Sequence, residues 1–71
     1  MKLSDLVEVN KTVYEGYDFR GNPHFFFNTK LNKGTRDIVV AVKTIKEEQY
    51  IRTLGQSKLW MLADRFTLIE G

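Results

Sequence analysis

Histidine is the side chain whose proton moves closest to neutral pH, and the chain has one, His24, set between Pro23 and Phe25-Phe26-Phe27. An acid–base role needs a partner, and no second member of a catalytic pair can be identified beside it. His24 therefore reads first as a loop side chain and second as a ring able to stack. Carboxylates stand close in sequence twice, as Asp5 with Glu8 and as Glu15 with Asp18. Surface carboxylates are common, and neither spacing carries a catalytic signature. Gly16 and Gly21 lack the Lys-Ser/Thr that would follow in a phosphate-binding loop. With one histidine and no cysteine, no zinc site is expected, and no loop has calcium-site spacing. No catalysis, metal or cofactor is expected.

The constellation that fits binding is aromatic and basic. Tyr14, Tyr17, Phe19, Arg20 and His24 crowd one stretch, with the phenylalanines and Lys30 just after and Lys33 and Arg36 beyond. Rigid rings with polar neighbours are the usual anchors of a protein interface. Rings interleaved with cations can also stack bases while pairing phosphates. Tyr14, Tyr17, Phe19, Arg20 and His24 are thus candidates for a protein interface. Lys30, Lys33 and Arg36 are candidates for the nucleic-acid alternative. About half of the rings are expected to be structural, because a short chain needs large side chains inside. Trp60 is read as core on the same ground.

The elements that must position these residues are short. At 71 residues, one domain is expected, burying roughly 60% of the surface its unfolded chain exposes. Apolar residues at 42% and charged residues at 28% are ordinary for a folded protein. Eleven Lys and Arg against nine Asp and Glu leave +2, a weak excess that neither requires nor excludes a polyanionic partner. The absence of cysteine fits a reducing cytoplasm. Met1 to Leu6 turns polar too soon for an export signal, and no apolar run is long enough to cross a bilayer. No membrane association is expected, and the oligomeric state is not legible.

The longest β-branched run, Ile38 to Val42, follows a glycine turn at Asn32-Lys33-Gly34-Thr35 and reads as the central strand. Leu6-Val7-Glu8-Val9 alternates as a half-buried strand. Asn10 to Lys33 reads as a long functional loop, with a turn at Arg20-Gly21-Asn22-Pro23, Val13 and Tyr14 able to extend the first strand, and an irregular hairpin from Tyr14 to Phe27. Tyr50–Leu54, Leu59–Leu62 and Thr67–Ile69 read as strands, with a helical turn at Ala63-Asp64-Arg65. Val7, Val9, Val39, Val42 and Leu68 are expected to be buried together. A competing pattern is α+β, with helices near 45–54 and 58–66. Thr44-Ile45-Lys46-Glu47 is a capping box, Glu48 and Arg52 are spaced i,i+4, Gly55 stops the helix, and Ser57 could cap a second.

Three segments resemble small SH3-like barrels of the KOW type. Such domains open on Lys-x-Gly-Asp-x-Val-x-Val; here Lys2-Leu3-Ser4-Asp5-Leu6-Val7-Glu8-Val9 is similar, with Ser4 in the glycine position. Gly34, Val39 and Val42 match Gly-x-x-Gly-x-Val-x-x-Ile, with Asp37 in place of the second glycine. Leu59 to Glu70 resembles the closing strand, helical turn and last strand. The chain is similar to isolated small barrel proteins of tailed bacteriophages. The resemblance implies a mainly β, five-stranded SH3-like barrel with a long loop after the first strand. It also implies a binding role toward RNA, ribosomes, RNA polymerase, peptides or other proteins. The fold does not choose among these. The function expected first is noncatalytic protein binding, as a small accessory or inhibitor of a larger machine; the alternative is an RNA- or DNA-binding module.

Overall fold

The computed structural model describes residues 1–25, 31–56 and 58–70. Seven strands run through them: β1 (Leu6–Val9), β2 (Glu15–Tyr17), β3 (Pro23–Phe25), β4 (Arg36–Ile45), β5 (Glu48–Thr53), β6 (Met61–Leu62) and β7 (Phe66–Glu70). Tight 3-10 turns at Leu54–Gln56 and Ala63–Arg65 flank β6. Five strands form an antiparallel sheet in the order β6-β5-β4-β1-β7, while β2 and β3 form a separate ribbon. The protein is mainly β, and the five-stranded sheet stays open instead of closing into a barrel.

The run Ile38 to Val42 lies within β4, the ten-residue strand at the centre of the sheet. Gly34 enters it at φ 93°, where only glycine is unstrained, and the Thr35 N–H closes the turn on the Asn32 carbonyl. The capping-box reading is overturned. Lys46 and Glu47 are the two loop residues of a β4–β5 hairpin, both at positive φ (50° and 71°), and Ile45 pairs with Glu48. That is the geometry of a two-residue hairpin turn whose twist matches the strands. A cap and an i,i+4 pair contribute only about 1 kcal/mol and a few tenths. Two β-branched strands that bury Val39, Ile51 and Thr53 outweigh them. Leu59 and Trp60 enter β6 with no helix, and Ser57, the second expected cap, lies outside the described residues. The helical turn before the last strand is where the sequence places it.

Among the described residues the core is Val7, Val9, Val13, Val39, Ile51, Met61 and Phe66. Three of the five residues expected there are buried; Val42 and Leu68 are not. Both face the core side by register, since Val42 pairs with Ile51 and Leu68 with Val7. Val42 reaches that side because a bulge between Val39 and Ala41 resets the alternation of β4, and it lies beyond the covered area at 37% exposure. Leu68 is on the edge strand β7, whose one partner in the sheet is β1, and is 52% exposed.

The long loop is more regular than expected. Val13 and Leu31 exchange backbone hydrogen bonds, so the β1–β4 pairing continues past Val9. β2 and β3 then pair from Glu15–Phe25 to Tyr17–Pro23, which is the expected hairpin. Of the expected strand Phe25-Phe26-Phe27, Phe25 ends β3, and Phe26 and Phe27 lie outside the described residues. Ser4 adopts φ 71°, in the left-handed region that glycine enters without strain. Among the described residues, no helix is long and apolar enough to cross a membrane.

Candidate binding face

Along β5, Ile51 and Thr53 point into the core, so Tyr50 and Arg52 point to the other face of the sheet. Lys43 lies directly across from Tyr50 on β4 and shares that face. Trp60, just before β6, lies there as well: the Lys43 ammonium is 4.4 Å from its ring centroid and the Arg52 guanidinium carbon 4.7 Å. Lys43 is also 5.9 Å from the Tyr50 ring. A cation over an aromatic face contributes about 0.5–1 kcal/mol at exposed sites.

The ribbon completes the face. Tyr17 and Trp60 exchange two backbone hydrogen bonds, at 2.7 and 2.6 Å, which fasten the end of β2 to the chain entering β6. The Tyr17 ring then meets Tyr50 edge-on, with centroids 6.1 Å apart at 85°. A hollow of about 180 Å³ lies between Tyr17, Lys43, Tyr50 and Trp60, with Gly21 and Ile45 at its margin.

Both tyrosine hydroxyls donate to carboxylates: Tyr17 to Glu15 at 2.9 Å and Tyr50 to Glu48 at 3.3 Å. The hydrogen bond to Glu15, then desolvation, raises the Tyr17 pKa above its ordinary value. Desolvation, then the charge of Glu48, raises that of Tyr50. Both phenols therefore stay neutral donors at neutral pH, and each fixes a negative charge at the rim of the rings.

The turn of the ribbon is organised by Asp18. Its carboxylate accepts the backbone N–H of Arg20 at 2.9 Å and of Asn22 at 3.0 Å. It also accepts from His24 Nε2 at 2.9 Å. An ionised carboxylate only accepts, so Nε2 carries the hydrogen. The His24 contact above all, then the backbone donors, lowers the Asp18 pKa to about 2. Gly21 supplies the left-handed residue of this turn at φ 86°.

The candidates read from sequence separate. Tyr17 is on the face. Tyr14 is exposed, and Phe19, 79% exposed, projects from the ribbon turn with Arg20 stacked over it at 5.2 Å. His24 is tied to Asp18. None of the described rings in this stretch is fully buried; Phe26 and Phe27, which the expectation that about half would be structural also covers, lie outside the described residues. Of the basic candidates, Arg36 is engaged by Glu8 at 3.2 Å, and Lys33 lies in the turn before β4. Lys30 lies outside the described residues. The paired-carboxylate readings dissolve: Asp5 is buried and accepts the Lys2 N–H at 2.8 Å, Glu8 holds Arg36, Glu15 holds Tyr17 and Asp18 holds His24.

Sequence reasoning missed Lys43, Tyr50 and Arg52 and misassigned Trp60, which is half-buried. The signal was present. Tyr50 and Arg52 alternate with Ile51 and Thr53, which marks one polar and one apolar face once the segment is taken as a strand. No family model matches the chain, and neither a curated protein nor a solved structure is significantly similar to it. The arrangement itself offers flat aromatic surfaces with cations held over them and two phenol oxygens whose hydrogens are given to Glu15 and Glu48. Among the described residues, no cluster of three or more His, Cys, Asp or Glu is placed to hold a metal ion.

Proposed function

We propose that this chain is a noncatalytic protein-binding module of SH3-like type, which seats a segment of its partner on the Tyr17–Tyr50–Trp60 face. The observation that carries the reading is the gathering of those three rings, with Lys43 and Arg52, on the side of the sheet away from the core. Aromatic and arginine side chains are the usual hot spots of protein interfaces. The SH3-like assignment draws support from the strand order, the long ribbon between β1 and β4, and the 3-10 turn ahead of β7. The cysteine-free composition supports a cytoplasmic setting. A small accessory or inhibitor of a larger machine, of the kind tailed bacteriophages encode, fits a module with one such face. The competing reading is an RNA- or DNA-binding KOW-type module.

The test is a double substitution, Tyr50→Ala with Trp60→Ala, compared with wild type in affinity capture from a bacterial lysate, with and without nuclease. Protein capture that survives nuclease and disappears in the variant, while circular dichroism keeps its β signature, is the expected result. Capture that vanishes on nuclease treatment points to nucleic acid. Capture unchanged in the variant removes this face from the proposal.

A further inference from the structure

We infer that the segment seated on this face is an acidic peptide, with a carboxylate lying beside the Lys43 ammonium, which is held over the Trp60 ring; this rests on the protein-binding reading above. Lys43 is held over Trp60 and Tyr50, and no carboxylate among the described residues forms an ion pair with it. Close cation–anion contacts among the described residues, His24 with Asp18, Arg36 with Glu8 and Arg65 with Asp64, leave Lys43 out. The rings hold Lys43 in place, so a partner carboxylate would meet a cation that is already positioned. That reduces the ordering cost of forming the pair.

Charge also selects the class of partner. A nucleic-acid strand carries a negative charge at every residue, and its affinity comes largely from matching those charges with cations. Here Glu15 and Glu48 stand beside the tyrosine rings, anchored by the hydroxyls. A strand tracking across the rings would pass two fixed negative charges. A peptide can place a carboxylate at Lys43 and present apolar or hydroxyl groups to the tyrosine end. The face is therefore complementary to local negative charge on an otherwise uncharged apolar segment.

A phage-displayed random peptide library of about 12 residues, long enough to span such a face, is selected on immobilised wild-type protein and counter-selected on the Tyr50→Ala, Trp60→Ala variant. Selected peptides are synthesised and titrated against the fluorescence of Trp60, the one tryptophan in the chain. The expected result is enrichment of Asp and Glu next to apolar residues. Affinity is expected to fall by about tenfold in Lys43→Glu and to weaken with salt. Lys43→Gln serves as a milder variant if charge reversal disturbs folding. Clones that depend on the rings but are neutral or basic, with affinity unchanged in both Lys43 variants, overturn the acidic-peptide inference and leave the protein-binding reading standing. Failure to enrich any clone over the double variant overturns that reading too. A thymidine oligonucleotide that shifts Trp60 fluorescence more tightly than the best peptide assigns the face to nucleic acid instead.

Discussion

The β4–β5 turn offers a prediction in which the sign alone discriminates. Lys46 and Glu47 both sit at positive φ, where a side chain other than glycine, asparagine or aspartate is strained. The left-handed region costs an ordinary residue about 1–2 kcal/mol relative to glycine. Glu47→Gly removes that strain but frees the unfolded chain, which returns about 0.4–1 kcal/mol. The net expectation is a gain of roughly 0.5–1 kcal/mol, or a rise in Tm of about 2–8 °C for a domain of this size. Lys46→Asn should add a smaller gain, since asparagine tolerates this region without extra unfolded-state freedom. Differential scanning calorimetry of both single variants and the double reads the effect directly. If residues 44–47 instead began a helix, Glu47→Gly would lose a capping carboxylate and place glycine in a helix, and Tm would fall by several degrees. A fall in Tm would refute the hairpin reasoning.

Further expectations follow from burial and hydrogen bonding. The Thr53 hydroxyl is fully buried and has no hydrogen-bond partner among the described residues, so Thr53→Val should raise the unfolding free energy by about 1 kcal/mol in urea titration. Ile51→Ala should cost about 2–5 kcal/mol, because a fully buried side chain leaves a cavity, whereas Phe19→Ala at the ribbon turn should leave Tm within a degree or two. The Asp18 carboxylate should titrate by NMR with a midpoint near 2, against an ordinary 3.8. A depressed carboxylate pKa stabilises the folded ribbon above the ordinary value, and that contribution is lost as pH falls from about 4 toward 2. His24→Ala should move the Asp18 midpoint upward, since that contact is the largest cause of the shift.

Much of the sheet could be read from the chain because its signals were local. Alternation of Val7 and Val9 with Leu6 and Glu8, the glycine turn at Gly34 and the polar turn at Ala63–Arg65 all depend on neighbours in sequence. The bulge after Val39 is not such a signal, since it depends on how β5 pairs, and the outcome at Val42 follows from it. The exposure of Leu68 depends on β7 being an edge. The face was half legible. Tyr17 stood out because aromatic residues crowd its segment, but its partners lie 33 and 43 positions away, at Tyr50 and Trp60. Trp60 read as core because large apolar rings usually are; nothing in its neighbourhood announces that Lys43 and Arg52 will stack on it.

The pairing of β1 with β7 bears on how the chain acquires its shape. β1 lies between β4 and β7, so one of its two neighbours is synthesised early and the other only with residues 66–70. Until then Glu8 has its partner in Arg36, but the backbone edge of Leu6–Val9 that faces β7 remains unpaired. Joining strands that far apart in sequence closes a long loop, an entropic cost met before its contacts form, and folds rich in such pairings reach the native state in milliseconds to seconds. Ribosomes add about 5–20 residues per second, so synthesis exposes this edge for longer than folding itself requires. A nascent chain held before residue 66 should therefore be protease-sensitive and prone to pairing with other strands, and the addition of residues 66–70 should end that vulnerability.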